Sequence, residues 1–321
     1  MNNNGAIETC PVSAIGTHKD FQVIQNIVMQ TVLVHSKRGR FYVNPHDTII
    51  SKSLTVYGEY AEHEMMLLSH WVQPGQTIID VGANIGTHSV FFSHQVGSDG
   101  NVVALEVQPE IFDVLKQNLK LNNCNNMNVL NLAGGAAIGE LELLELDYGR
   151  DGNFGAYSFC IDDIGRYLPV NPRARQTLIP VIPLDNLDLE ICHLLKVDAE
   201  GMELEILTGA AQLVEKHRPI LYLENNNRES SSALIEQLSL FEYRNYWHVI
   251  SYYRKSNFNR FGENIFSAPL ELNLLCIPDE LNQNPPALPV VTHRDQWFPD
   301  EIQQGTYDIN DLIALAESFD L

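Results

Sequence analysis

Apolar and polar positions alternate in blocks through the middle of the chain. The runs TIIDV, NVVALEV and MNVLNLA are mostly apolar and have the length of buried strands. The segments between them, THSVFFSHQV and PEIFDVLKQNLKLNN, place apolar residues at the spacing of a helix. Apolar strands that alternate with amphipathic helices are typical of a parallel sheet covered on both faces. The pattern predicts an α/β fold with a doubly wound sheet.

The alternation is interrupted by a polar, glycine-rich stretch, which we interpret as a substrate loop over residues of about 148–178. Beyond it we predict three strands and one helix: LIPVIPL, LLKVDAEG, PILYLEN and the helix ELEILTGAAQLVEKH. After a further helix near residues 230–240, two closing strands that could pair antiparallel are predicted: YWHVISYYRK and LELNLLCIP.

Both ends of the chain fall outside this alternation. At the N-terminal end we predict short strands up to about residue 52, with a hairpin over TVLVHSKRGRFYVNP, followed by a helix over EYAEHEMMLLSHWV. Residues 1–70 are therefore expected to form a β-rich cap over the active site. Residues 71–278 are the predicted α/β domain. Residues 279–321 are predicted to be a proline-rich linker and an acidic extension, in which INDLIALAESF could be a short docking helix.

Composition narrows the classes of ligand and compartment. The formal net charge of −21 opposes binding to nucleic acid and would favour a cationic ligand, although a solvated acidic surface explains most of it. No signal peptide is recognisable in MNNNGAIETC, and no apolar run approaches the roughly 18 residues of a membrane span. The cysteines lack C-x-x-C spacing, which argues against a zinc knuckle; they are Cys10, Cys124, Cys160, Cys192 and Cys276. We expect a cytoplasmic protein without a membrane partner.

A glycine loop follows the first strand of the α/β domain, in the sequence DVGANIGTH. Gly82 and Gly86 allow a ligand to approach the backbone, and Asn84 tolerates left-handed dihedral angles. Asp80 ends the strand before the loop, and Glu106 ends the next strand, near where a ribose-binding acid is expected. The loop therefore predicts a site for a nucleotide-like ligand.

The charge of Asp80 discriminates between such ligands. It would repel the pyrophosphate of a nicotinamide dinucleotide, whereas S-adenosylmethionine has no phosphate, carries an ammonium and a sulfonium, and offers a ribose diol to Glu106. We therefore expect S-adenosylmethionine, with a nicotinamide oxidoreductase as an alternative. In the structural alternative, Asp80 only caps the turn and the glycines only allow tight packing.

The motifs DVGANIG, LKVDAEGMELEIL and PILYLEN, with GEYAEHE upstream and FGENIF and LCIP downstream, resemble those of the FkbM family of S-adenosylmethionine-dependent methyltransferases. The resemblance covers roughly residues 42–278. It implies a class I methyltransferase fold, which is Rossmann-like and has a mostly parallel seven-stranded sheet with one antiparallel strand. It also implies the donor-binding residues Asp80, Gly82, Ala83, Asn84, Gly86, Thr87, Glu106 and Asp198. The segment NLAGGAAIGE lacks the acidic residue often found near the adenine.

Acidic residues at strand ends are the candidates for catalysis. Methyl transfer to a hydroxyl needs a nearby acceptor and a group that takes its proton. Asp198 and Glu200 follow a central strand, at the sheet edge where active sites of this class lie, and they repel each other unless a cation or a shared proton compensates. For Glu203 we favour the structural interpretation, a helix-start residue that interacts with the helix dipole. Glu224 ends the neighbouring strand and completes the catalytic acids.

Other polar residues have weaker support. Asp198, Glu224 and Asn225 could supply oxygen ligands to a divalent ion, but hydrogen bonds to the substrate explain them equally well, and no metal is our expectation. His248 is included as a candidate base, although a packed histidine is the ordinary alternative, as it is for His88. The loop arginines could contact an anionic acceptor or be solvated; they are Arg166, Arg173 and Arg175.

Together these features predict a methyltransferase that moves a methyl group from S-adenosylmethionine to a hydroxyl of a sugar or natural-product acceptor. One alternative keeps the donor and methylates a peptide or amide nitrogen. Another is a noncatalytic nucleoside-binding module, against which the three catalytic acids argue. The expected partner is a small-molecule or peptide acceptor, and the sequence leaves the oligomeric state open.

Overall fold

The computed structural model describes residues 29–157, 168–170, 176–266, 270–283, 285 and 287–319. In chain order its strands are β1 Val32–Ser36, β2 Gly39–Val43, β3 Thr77–Val81, β4 Asn101–Leu105, β5 Met127–Leu130, β6 Ala133–Gly134, β7 Gly139–Leu144, β8 Gln176–Ile182, β9 Leu194–Val197, β10 Ile220–Glu224, β11 Tyr243–Ser251 and β12 Leu270–Pro278. Its α-helices are α1 Ile50–Val56, α2 Glu62–Ser69, α3 Thr87–Val96, α4 Pro109–Leu121, α5 Glu203–Thr208, α6 Ala211–His217, α7 Arg228–Ser239, α8 Phe298–Gln303 and α9 Ile309–Glu317.

A seven-stranded sheet lies at the centre, with the strand order β11-β12-β10-β9-β3-β4-β5. Strands β10, β9, β3, β4 and β5 are parallel, and β12 pairs antiparallel with both β10 and β11. The predicted mostly parallel sheet with one antiparallel strand near an edge is confirmed. The strand order reverses at β3 and β9, and ligands of open α/β sheets bind at such a switch point, beyond the carboxyl ends of the strands.

Successive residues of the central strands pack on opposite faces of this sheet. Ile79 and Val81 of β3 belong to the core that includes α5, α6 and α7, whereas Ile78 belongs to the core that includes α2 and α3. Both faces of β3 are therefore covered by helices, which explains why its sequence is nearly continuous in apolar residues.

Three local predictions differ from the structure. The run LIPVIPL was expected to continue the main alternation, but β8 belongs to a separate three-stranded sheet in the order β6-β8-β7. The single helix expected over ELEILTGAAQLVEKH is two helices, α5 and α6, which are separated at Gly209 and Ala210. Short strands were expected up to about residue 52, yet α1 begins at Ile50. Each difference arises where tertiary packing outweighs a short local pattern.

The predicted N-terminal hairpin is present as β1 and β2, which pair antiparallel. Two asparagines fix it to the α/β domain: Asn118 within α4, and Asn122 directly after the end of that helix. The side chain of Asn118 bonds both backbone groups of Tyr42, and the side chain of Asn122 bonds both backbone groups of Arg40. The hairpin is thereby held against the outer side of α4.

The proline-rich segment after residue 278 is not simply a linker, because part of it pairs with the edge strand β11. The Trp247 N–H donates to the Pro289 carbonyl at 2.8 Å, and the Val291 N–H donates to the Asn245 carbonyl at 2.8 Å. The predicted C-terminal helix is present as α9, which packs against β11 and α2. The segment therefore covers a sheet edge that would otherwise expose unpaired backbone groups.

Some predictions fall outside the described residues: the first 28 residues of the N-terminal part, Cys10, Cys160, Arg166, Arg173 and Arg175, and much of the expected substrate loop. The division of the chain into three parts remains a prediction. Within the described ranges, none of the helices combines the length and the apolar character that a bilayer crossing requires.

Candidate functional site

A cavity of about 240 Å³ opens at the carboxyl ends of β3, β4, β9 and β10. Its walls come from the loop after β3, from the ends of β4, β9 and β10, and from residues at the start of α1. The predicted site residues that line it are Gly82, Ala83, Asn84, Thr87, Glu106, Asp198, Glu200 and Glu224. Residues predicted from four separate strand ends therefore meet in one cavity.

The glycine loop owes its shape to a close backbone approach. Gly82 has φ of +79°, and a Cβ atom there would overlap the carbonyl oxygen of Asp198. Asn84 also has a left-handed backbone, with φ of +49°, and its Oδ1 accepts the Ile85 N–H at 2.7 Å. Gly82 is therefore needed for packing between the β3 and β9 loops, in addition to any role at the ligand.

The Glu106 carboxylate is held in place by the backbone around it. Oε2 accepts the Asn84 N–H and Oε1 accepts the Gln108 N–H, each at 2.8 Å. Burial raises the pKa of Glu106 to about 7, against the opposing effect of these hydrogen bonds. A carboxylate oxygen can accept more than one hydrogen bond, so the fixed carboxylate remains able to accept from ligand hydroxyls.

Asp80 does not line the cavity, contrary to the expectation that it faces a cationic donor. Its carboxylate is fully buried, accepts the Ser89 hydroxyl at 2.6 Å and lies 3.8 Å from the Lys196 ammonium. Asp80 and Lys196 are directly paired in register between β3 and β9. The positive charge beside Asp80 is therefore one that the protein itself supplies.

Two further residues that were predicted to belong to the site lie outside the cavity. A Cβ atom at Gly86 would lie 2.6 Å from Leu115 Cδ1, so this glycine allows α3 to pack against α4. Asn225 is buried, and its Nδ2 donates to the Ser231 hydroxyl at 3.0 Å. Neither Gly86 nor Asn225 is among the residues that line the cavity.

The carboxylate cluster, which consists of Asp198, Glu200 and Glu224, lies on one side of the cavity. One carboxylate oxygen from each residue lies within 4.8 Å of the others. Burial, together with the neighbouring carboxylates, raises the pKa of Glu200 and of Glu224 well above the usual value. Once ionised, these two residues are therefore stronger bases than a solvated carboxylate.

Glu203 does not line the cavity, but it holds the turn that carries Glu200. Its carboxylate accepts the backbone N–H groups of Ala199 and Gly201 at 3.0 and 3.1 Å. The turn that it holds places Glu200 in a left-handed conformation with φ of +49°. Glu203 thus fixes the turn on which Glu200 is carried, in agreement with its predicted structural alternative.

Sequence reasoning missed three residues of the cavity wall beside the cluster. Tyr60 and Tyr252 stack with ring centroids 5.3 Å apart, and Tyr252 hydrogen bonds to Glu271. Glu271 is 5% exposed and its pKa is raised by burial. The sequence could have indicated Glu271, because it is a charged residue inside the otherwise apolar strand LELNLLCIP. Lys196 is a charged residue in the apolar strand LLKV in the same way.

His88 lines the cavity but is engaged with a buried acid. Its Nε2 lies 2.9 Å from Glu64 Oε2, and Glu64 Oε1 accepts from the Asn273 amide at 3.2 Å. Burial and the Lys196 charge lower the pKa of His88 to about 3, while burial raises the pKa of Glu64 to about 8. A neutral imidazole therefore faces a largely protonated carboxyl at neutral pH.

His248 is not brought to the cavity. It is buried within β11, its Nδ1 lies 2.8 Å from the Tyr222 hydroxyl, and its ring meets Phe319 edge-on. Burial lowers its pKa to about 3. The structure therefore gives no geometric support to the hypothesis that His248 is the base, and it favours the packed alternative.

The residues that form this cavity lie mostly within a known protein domain. The methyltransferase FkbM domain matches residues 80–247, just over half of the chain. The chain belongs to the FkbM methyltransferase family. The match begins at the end of β3 and ends within β11, so the FkbM domain contains most of the carboxyl-end cavity. A second family, protein-L-isoaspartate(D-aspartate) O-methyltransferase, matches residues 18–139.

Solved structures similar to this FkbM protein include methyltransferase FkbM from Methylobacillus flagellatus, with 17% identity and a TM-score of 0.42 over 62% of this chain and 43% of that one. An O-methyltransferase from Bacillus cereus, in complex with SAH, has 14% identity and a TM-score of 0.40 over 73% of this chain and 92% of that one. Arsenite methyltransferase of Halobacterium salinarum is 30% identical over 54 residues, which is 17% of this chain and 14% of that protein. The chain thus spans less than half of the FkbM structure and a small part of the arsenite enzyme.

Proposed function

We propose that this protein transfers a methyl group from S-adenosylmethionine to a hydroxyl of a small-molecule acceptor, in the class of sugars and natural products. One observation carries the proposal: a single cavity joins the Glu106 carboxylate and the glycine loop on one side to the carboxylate cluster on the other. Donor and acceptor would thereby meet at the carboxyl ends of the central strands.

The donor half of the cavity suits a nucleoside without a phosphate. Glu106 presents a fixed carboxylate that would accept the two ribose hydroxyls, and Gly82 lets the ligand approach the backbone of the loop. Asp198 is partly exposed, with 25% of its side chain accessible, and would meet the ammonium of the methionine moiety. The charge that Asp80 was expected to provide is in this arrangement provided by Asp198.

The acceptor half supplies a base. The acceptor oxygen would attack the methyl carbon as the carbon–sulfur bond breaks, giving a methyl ether and S-adenosylhomocysteine. The hydroxyl proton would pass to Glu200 or Glu224, whose raised pKa values make them stronger bases than a solvated carboxylate. Fixing the acceptor near the sulfonium would supply most of the acceleration.

The experiment that tests this proposal is transfer of labelled methyl groups to a panel of glycosides, polyketide alcohols and peptides. We expect label on a hydroxyl with the unmodified protein and with Glu205→Gln, whose glutamate is exposed and outside the cavity. We expect a loss of about 100-fold or more in rate with Glu200→Gln or Glu224→Gln, whichever carries the base.

Other outcomes of the same assay would support the rival functions. Label on a peptide or amide nitrogen would show that the acceptor is a nitrogen and not a hydroxyl, while the assignment of the methyl donor would stand. Tight binding of S-adenosylmethionine with no transfer to any acceptor would instead indicate a noncatalytic nucleoside-binding module.

A further inference from the structure

The carboxylate cluster carries more negative charge than nearby basic side chains compensate. Lys196 lies 3.0 Å from Asp198 Oδ2 and 3.8 Å from Asp80 Oδ1, so its ammonium is shared between these two acids. Among the described residues no salt bridge reaches Glu200, Glu224 or Glu271. Glu224 and Glu271 are buried, and buried anions require a compensating cation or a proton.

We propose that Asp198, Glu200 and Glu224 bind one divalent cation of the oxygen-preferring class, Mg²⁺, Mn²⁺ or Ca²⁺, where the donor and acceptor halves of the cavity meet. Asp198, which belongs to both halves, would then share its carboxylate between this ion and the donor ammonium. The ion's role in catalysis rests on the proposed function, whereas its binding does not. The sequence suggested Asn225 as the third ligand, but the structure replaces it with Glu200.

The spacing of the oxygens fits such an ion. Oxygen ligands lie about 2.0–2.6 Å from Mg²⁺ or Ca²⁺, so two ligands of one ion are separated by at most about 5 Å. The three oxygens of the cluster lie within 4.8 Å of one another. Three anionic oxygen donors without nitrogen or sulfur favour a hard divalent cation over zinc or copper.

Glu271 provides a second, independent indication. It lines the same cavity and is 5% exposed. Tyr252 hydrogen bonds to its carboxyl group, but the Oε2 atom has no hydrogen-bond partner among the described residues. A buried carboxylate oxygen without a partner is costly, and the cost would be removed by a cation or by water held on one. Because Glu271 lies on β12, it approaches the cavity from a different strand than the three proposed ligands.

A cation in this position would serve the proposed reaction. A hydroxyl bound to a divalent ion loses its proton more readily than a free one, and the ion would also fix the distance between the acceptor and the methyl donor. With the ion bound, Glu200 and Glu224 would act as its ligands, and the proton would pass to Glu271, the neighbouring acid that does not bind the ion.

The test is a titration of the full chain with Mn²⁺ alone, after treatment with a chelator, in which free Mn²⁺ is measured by electron paramagnetic resonance. We expect one saturable site in the unmodified protein and in the control Glu205→Gln. We expect the affinity to fall by about 10-fold or more in both Glu200→Gln and Glu224→Gln. Mg²⁺ should displace the bound Mn²⁺.

The inference is overturned if no saturable site is found, or if Mn²⁺ binds equally well to both cavity variants. Melting curves without metal check folding: each variant loses a carboxylate that its neighbours repel and should melt no lower than the parent. S-adenosylhomocysteine binding is measured on the same samples. Binding of that ligand without Mn²⁺ binding would refute the metal site alone, whereas the opposite result would refute the donor assignment and leave the metal site intact.

Discussion

Gly82 shows how one residue links the fold to the site. Its missing side chain leaves room for the carbonyl of Asp198, and its left-handed backbone turns the chain into the cavity wall. A residue with a Cβ atom would have to push the β3 loop away from the β9 loop. Both loops carry residues of the proposed donor site, so stability and ligand binding depend on the same contact.

We predict that Gly82→Ala lowers the free energy of unfolding by about 3 kcal/mol, from backbone strain and overlap together. Gly75→Ala is the matched control, because Gly75 also has a positive φ, of +83°, but no atom of the described residues lies within 4 Å of its Cβ position. The control should cost only about 1 kcal/mol. Urea denaturation measures both values, and equal losses would show that the contact with Asp198 is unimportant.

In the proposed donor site, Glu106 would make donor binding depend on pH. Its pKa is raised to about 7 in the free protein, and only the ionised carboxylate accepts hydrogen bonds at both oxygens from ribose hydroxyls. We predict that the affinity for S-adenosylhomocysteine rises between pH 6 and pH 8, and that this rise is lost in Glu106→Gln. Calorimetry across this range measures it, and an affinity independent of pH in the unmodified protein would contradict the role of Glu106.

At the scale of elements, the main sheet could be predicted because its apolar runs are long and alternate with amphipathic helices. The separate sheet of β6, β7 and β8 could not, because a single run such as LIPVIPL does not reveal which strands it pairs with. The site residues, too, could be predicted only where a local sequence motif carries them. Glu106 and Glu200 follow strands in recognisable motifs, whereas the neutralisation of Asp80 by Lys196 depends on the register between β3 and β9.

The C-terminal extension is predicted to stabilise the fold without contributing to the cavity. Phe298 is fully buried and stacks on Trp247 of β11 at 5.6 Å. We expect Phe298→Ala to lower the free energy of unfolding by about 3–5 kcal/mol while the affinity for S-adenosylhomocysteine at low temperature stays unchanged. Phe258→Ala, at a residue that is 52% exposed, should change stability by less than about 1 kcal/mol. A large loss of affinity for S-adenosylhomocysteine in Phe298→Ala would show that the C-terminal extension contributes to the donor site.

For the whole molecule, buried acids should make stability fall at alkaline pH. The pKa of Glu64 is raised to about 8 from an ordinary 4.5, and those of Glu200, Glu224 and Glu271 are also raised well above the ordinary value by burial and by neighbouring carboxylates. Between pH 6.5 and pH 8 the folded chain therefore binds more protons than the unfolded chain, so the free energy of unfolding decreases as pH rises.

The buried histidines do not reverse this trend. A pKa lowered to about 3 from an ordinary 6.5, as for His248, destabilises the fold only at acidic pH. We predict that the Tm of the metal-free protein is lower at pH 8.5 than at pH 6.5, as measured by calorimetric melting. A Tm that is constant or higher at pH 8.5 would show that the acids are ionised in the folded chain at little cost.

The measurement that bears most directly on the central claim is a calorimetric titration of the purified protein with S-adenosylhomocysteine at pH 8. The account predicts saturable binding of one ligand per chain, weakened by about 10-fold or more in Glu106→Ala and unchanged in Glu215→Gln, whose side chain is exposed on α6. Absence of binding, or equal affinity in Glu106→Ala, would contradict the assignment of this cavity to the methyl donor.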